Sequence, residues 1–114
     1  MNPYTKKAIE FYNRGIKEYK EGLKERDTIK TRKGCEEIFH ALVELSDGIL
    51  TEHGYPRPED HTLRMELLKK FGMHRKYGWI KEYLHNNCYY SGIIREILLE
   101  EAIEAVDTEI KKRI

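Results

Sequence analysis

The three prolines of the chain stand at positions 3, 56 and 58, so the long stretches on either side of the pair are free of the residue that most strongly interrupts a helix. Both stretches carry apolar residues at alternating three- and four-residue steps, the period of a helix with one buried face. No run alternates apolar with polar residues in the manner of a strand, and no Asn-Gly hairpin turn occurs. The chain of 114 residues is therefore expected to be all-α: an up-and-down bundle of four to five helices forming a single domain over 1–114.

Helix boundaries follow from the punctuation. Asn2 is a capping residue and Pro3 suits the first helical position. Ile9, Tyr12, Ile16, Tyr19 and Leu23 then form a stripe that Ala8, Phe11 and Gly15 widen, with Gly15 a point of close approach for a second helix. Asp27 or Thr28 ends this helix and caps the next, whose inner face is Cys35, Ile38, Leu42, Leu45 and Ile49 and which ends near Gly54. Gly54-Tyr55-Pro56-Arg57-Pro58 is the clearest loop. A third helix carries Leu63, Leu67, Leu68 and Phe71 before Gly72. A fourth carries Tyr77, Ile80 and Leu84 and is expected to run out at Asn86-Asn87. Ser91 is the expected cap of the last helix, which buries Ile94, Leu98, Ala102, Val106 and Ile110. The first two helices should form an antiparallel hairpin with the last packed beside them.

Charge narrows the function classes. Lys+Arg number 21 and Asp+Glu 20, a net +1, too little for a protein that holds nucleic acid by bulk electrostatics alone. Local basic runs remain at Lys30-Arg32-Lys33, over 69–76 and at Lys111-Lys112-Arg113. The 69–76 run is a candidate phosphate-contact surface, and the last run complements a helix dipole. A charged fraction of 36% is common in thermophile proteins. No apolar run approaches the ~20 residues of a membrane span and no basic-then-apolar leader opens the chain, so a cytoplasmic protein without a membrane partner is expected. Cys35 and Cys88 are far apart in sequence and form no Cys-x-x-Cys pair; they are expected to be reduced thiols in or near the core.

Two Glu-x-x-His pairs, Glu37 with His40 and Glu82 with His85, have the spacing by which a bundle grips two metal ions, with Glu10 or Glu18 and Glu101 or Glu104 to complete the set. The helical wheel opposes that use. With the second helix centred on Ile38, Leu42 and Leu45, His40 points about 160° from the core and Glu37 about 100°. No metal and no cofactor are therefore expected. Zinc spacings, a phosphate-binding glycine loop and a Gly-x-Ser-x-Gly elbow are all missing from the sequence. The segment from Trp79 to Tyr90 gathers Trp79, Tyr83, His85, Asn86, Asn87, Tyr89 and Tyr90. It reads either as a polar-tipped corner satisfying helix-end carbonyls or as a recognition patch for a base or peptide.

Three patterns in order resemble known small helical proteins. The segment Lys33-Gly34-Cys35-Glu36-Glu37-Ile38-Phe39-His40-Ala41-Leu42 is similar to the second helix of HEPN-type domains (higher eukaryotes and prokaryotes nucleotide-binding). Asp60-His61-Thr62-Leu63 resembles the His-x-Leu that opens their third helix. Tyr83-Leu84-His85-Asn86-Asn87-Cys88-Tyr89-Tyr90 resembles the Leu-His-x-Asn-Phe-Tyr signature of the archaeal PaREP family, with Cys88 in place of Phe. The resemblance implies a HEPN-like bundle, frequently a homodimer, and either a ribonuclease or a non-catalytic partner of a small nucleotidyltransferase. Catalytic members place about four to six residues between an Arg and a His. Here Arg57 and His61 are separated by three residues, Arg32 and His40 by seven, and Arg64 and His74, like Arg75 and His85, by nine. The expectation is thus a non-catalytic homodimeric binding or scaffold module linked to RNA or nucleotides. Its candidate binding residues are Trp79, His85, Asn86, Asn87, Tyr89, His61 and Arg64, with Tyr55, Trp79 or Phe39 on the dimer face. The alternative is a divergent metal-independent ribonuclease with His85 as acid or base and Arg75 or Arg95 stabilising phosphate charge.

Overall fold

In the computed structural model, which describes residues 2–114, the Asn2 side chain accepts hydrogen bonds from the backbone N–H groups of Tyr4 and Thr5 at 2.8 and 3.1 Å, and Pro3 opens helix α1, Pro3–Glu25. Arg26 turns the chain in the left-handed region at φ 55°. Asp27 then caps α2, Thr28–Glu52, accepting from the Lys30 N–H at 3.0 Å. So short a connection between two long helices leaves them antiparallel and in contact along their length. Glycine permits the closeness: a Cβ on Gly15 would lie 2.8 Å from the Ile38 nitrogen, and one on Gly34 would lie 2.8 Å from the Tyr19 Cα. Backbone thus packs on backbone from both sides.

The second half wraps α2. Helix α3, His61–Leu68, is capped by Asp60, which accepts from the Leu63 N–H at 2.8 Å. A single 3₁₀ turn, Lys69–Phe71, leads to Gly72 at φ 69°. Helix α4, His74–Ile80, runs without a break into a π-helix, Lys81–Tyr90. Helix α5, Glu96–Lys111, closes the bundle against α1, α2, α4 and the π-helix. The fold is all-α with five α-helices and a packed α1–α2 hairpin. Helix α2 lies at its centre, with Ile38, Phe39, Leu42 and Leu45 buried against Tyr77, Ile80, Leu84, Leu99 and Val106. Among the described residues, no helix is long and apolar enough to cross a membrane.

Several expectations are corrected. Cys35 and Cys88 are not reduced thiols but a disulfide between α2 and the π-helix. Fifty-three residues apart in sequence, their Cα atoms lie 6.3 Å apart in space, within bridging range, because the two elements pack face to face. The helix does not run out at Asn86-Asn87; i→i+5 bonding carries it to Tyr90 and keeps Leu84 and Cys88 both buried. Ser91 does not cap the last helix, which begins at Glu96 after Arg95 with no side-chain cap. Its inner face is rotated, so that Leu99 is buried while Leu98 is only half-buried. Phe39 is fully buried and cannot lie on a dimer face.

Candidate functional site

Because α2 is packed on both sides, its second face is also interior, and that face is polar. Glu36 looks toward the π-helix and Asp47 toward α3, and buried Glu44 shares Arg57 with Asp47. Burying such groups without partners is costly, so each carboxylate meets a cation or an imidazole. At the inner end, Arg64 donates from Nε and Nη2 to the two oxygens of fully buried Asp47 at 2.6 and 3.1 Å, a bidentate pair. Arg57 reaches the same carboxylate from the loop at 3.0 Å and Glu44 at 3.3 Å.

The Arg64 guanidinium continues the network outward. Its Nη1 donates to His61 Nδ1 at 3.2 Å, and the Tyr77 hydroxyl lies 2.8 Å from the same nitrogen. Arginine can only donate, so His61 Nδ1 accepts and the ring proton sits on Nε2. Burial, followed by the charges of Arg64, His85, Lys81 and His40, lowers the His61 pKa from 6.5 to about 4, so the ring is neutral at pH 7. Burial likewise raises the Tyr77 hydroxyl well above the ordinary phenol range.

His85 occupies the outer end. Its Nδ1–H donates to Glu36 Oε1 at 2.7 Å, and His40 Nε2 approaches the other carboxylate oxygen at 3.7 Å. The His85 ring lies 4.9 Å from Phe39 and 5.3 Å from His61, centroid to centroid, and Tyr90 meets it edge-on at 4.8 Å. A carboxylate on Nδ1 fixes the tautomer and leaves the opposite nitrogen as a base, the orientation that general acid–base chemistry requires. Two imidazoles of different environment therefore stand side by side, one oriented by a carboxylate and one by a guanidinium.

Beside them opens a groove of about 240 Å3 lined by Ile29, Arg32, Lys33, Tyr89 and Tyr90. Arg32 donates to the backbone carbonyls of Tyr89 and Tyr90, both at 2.9 Å, satisfying acceptors that the end of the π-helix leaves open. Tyr90, 65% exposed, and exposed Lys33 are free to meet a ligand. The disulfide lies directly beneath, since Cys35 precedes Glu36 and Cys88 precedes Tyr89.

The predicted residues divide accordingly. His85, His61, Arg64 and Tyr89 come together, although buried Arg64 is committed to Asp47. Asn86 accepts from Lys81 and donates to Glu82, Trp79 packs edge-on against Tyr83 away from the histidines, and Asn87 is half-buried without a side-chain hydrogen bond among the described residues. Arg75 and Arg95 are exposed and pair with nothing among the described residues. The 69–76 run does not present one cationic face: Lys70 donates to the Tyr55 hydroxyl and Lys76 pairs with Glu109. The Glu-x-x-His carboxylates diverge, Glu37 to Arg14 and Glu82 to Asn86, and among the described residues no three His, Cys, Asp or Glu side chains are placed to share a metal ion. Glu36, Tyr77, Asp47 and Arg32 were not foreseen; their signal is the polar residues interrupting an otherwise buried helix. Compared with protein-family models, curated proteins and solved structures, the chain matches none.

Proposed function

We propose that the protein binds single-stranded RNA or a nucleotide at the groove beside the π-helix, as a binding module built on a HEPN-like bundle. The observation that carries this is the joining of exposed Tyr90 with Arg32 and Lys33 along one groove whose inner wall leads to His85. A phenol ring offers a stacking platform for a base and the two cations a seat for phosphate, which suits a strand with unpaired bases. A π-helix is a costly local structure that recurs at functional sites, and here it carries His85, Tyr89 and Tyr90. The test is titration of a fluorescent single-stranded RNA oligonucleotide. Lys33→Ala and Tyr90→Ala should each weaken binding, Tyr90→Ala by about 1–3 kcal/mol if one base stacks on it. Equal affinity in wild type and both variants refutes the assignment.

A specific observation favours a second function on the same site. The His85–Glu36 pair has the part of a metal-independent ribonuclease that takes the proton of a ribose 2′-hydroxyl while that oxygen bonds to phosphorus and the bond from phosphorus to the 5′-oxygen breaks. Neutral His61 beside it holds no imidazolium proton to give, so the leaving oxygen takes its proton from water. Cleavage of RNA in the presence of chelator, lost in His85→Ala, supports it; cleavage unchanged in that variant removes His85 from the chemistry. A cytoplasmic homodimer, with or without a nucleotidyltransferase-like partner, belongs to the same proposal. Exposed Trp79 and Ile97 stand outside the core where a second copy could close, and sedimentation of the purified protein decides between monomer and dimer.

A further inference from the structure

Helices α1 and α5 touch only lightly and leave between them a groove of about 320 Å3, remote in sequence from the histidines. Its walls are two ridges at helical spacing: Tyr12, Ile16, Tyr19, Lys20 and Leu23 from α1, and Glu100, Ile103, Glu104 and Asp107 from α5. The floor is apolar and the α5 rim is acidic. Asp107 is paired with Lys111 at 2.8 Å, but Glu100 and Glu104 are exposed and have no ion pair among the described residues.

One floor atom is left wanting. The Tyr19 side chain is almost wholly buried, yet its hydroxyl has no hydrogen-bond partner among the described residues. A buried hydroxyl without a partner costs free energy. Burial and the nearby charges of Glu100 and Glu96 raise the Tyr19 hydroxyl to about 12, and burial with Asp107 does the same for Tyr12, so both stay protonated and present O–H groups to acceptors.

We propose that this groove is a docking site for a cationic amphipathic helix of a partner protein. Such a helix lays apolar side chains at three- and four-residue spacing between the ridges and sets its Lys or Arg residues against Glu100 and Glu104. Charge complementarity selects this occupant: three carboxylates face a single lysine on the groove, a rim that repels anionic partners, nucleic acid included.

The probe is a synthetic Leu/Lys helix of about four turns, titrated by calorimetry into the full chain. Two controls accompany it, a scrambled peptide of equal composition and the same helix with Lys replaced by Glu. One-to-one binding of the amphipathic cationic peptide alone is expected. It should weaken at least about tenfold in Glu100→Lys/Glu104→Lys and fall with added salt. Because both glutamates are exposed, the variant should keep its unfolding midpoint, which is measured alongside. Three results overturn the proposal: no binding of the cationic helix, equal binding of the scrambled peptide, or affinity unchanged in the double variant. A dimer of the chain that the double variant dissociates also overturns it, since a second copy would then be the occupant.

Discussion

Reduction of the Cys35–Cys88 bond is the sharpest perturbation open to this protein. The bond closes a loop of 53 residues. In the chain-entropy account, a loop of that length constrains the unfolded ensemble by about 4 kcal/mol at 25 °C. In a domain of this size 1 kcal/mol corresponds to roughly 3–5 °C in Tm, so loss of the bond should lower Tm by on the order of 15 °C. Reduction is a cleaner perturbation than substitution because both sulfur atoms stay in place and no cavity is opened. Both cysteines are fully buried, so the reductant must be introduced in urea and the protein refolded in its presence. The assay is urea unfolding, followed by circular dichroism, of oxidised and reduced protein, with alkylation and mass measurement to count free thiols. The oxidised form should show no alkylation in urea, a higher midpoint and a smaller m, since a cross-linked unfolded chain exposes less surface. Two alkylated thiols in protein never exposed to reductant, or equal midpoints in the two forms, refutes the reasoning.

Substituting Arg64 by Met should destabilise the fold by about 3–5 kcal/mol in urea unfolding, because Asp47 is fully buried and would lose its bidentate partner. Arg57→Ala, whose guanidinium is half-exposed, should cost under about 1 kcal/mol in the same assay. Acid titration of stability tests His61. Its pKa is lower folded than unfolded, so the neutral ring contributes stability above pH 6.5, and that contribution is lost as pH falls toward 4. After allowance for partial exposure this amounts to about 1–2 kcal/mol, and His61→Gln should show a flatter profile over that window.

How far the sequence speaks for the structure depends on whether a helix has one buried face or two. Helix α1 has one, and its cap at Asn2 and its close approach at Gly15 could be read from the residues, whereas of its expected stripe only Tyr19 is buried and Ile9, Tyr12, Ile16 and Leu23 are half-buried beside the line of Ala8, Gly15 and Gly22. Helix α2 has two. Centring its core on Ile38, Leu42 and Leu45 assigned Phe39 to the outside, when it is the ring on which His61, Tyr77 and His85 pack. The same assumption left Glu36, Glu44 and Asp47 without a role. The clue lay in Leu50, an apolar residue well outside that stripe and fully buried. His85, His61 and Tyr89 were recognisable because they cluster by type near a helix end. Their partner Glu36 was not, being one glutamate among many. Neither the disulfide nor the π-helix leaves a local signature, since each depends on how the second half of the chain folds back across α2.

The polar second face of α2 divides into two parts with different consequences. Around Asp47 the carboxylate itself is saturated: Arg64 holds both oxygens and Arg57 adds a third contact, while one oxygen of neighbouring Glu44 is buried with no partner among the described residues. The Asp47–Arg64 pair has nothing to offer a ligand, and an apolar replacement of similar volume could be as stable. Around Glu36 the geometry is open at one atom. The carboxylate is occupied by His85 and approached by His40, yet the His85 ring also meets the ring of Tyr90, which lines the Arg32 groove. Burying a carboxylate to hold an imidazole in one tautomer does little for stability, whereas for a group that must meet a ligand in a fixed orientation it is what preorganisation requires. The disulfide secures this second part, joining the residue before Glu36 to the residue before Tyr89. Such bonds persist inside cells chiefly in hyperthermophiles. At high temperature a covalent tie between α2 and the π-helix would keep the two walls of the groove in register as weaker contacts loosen.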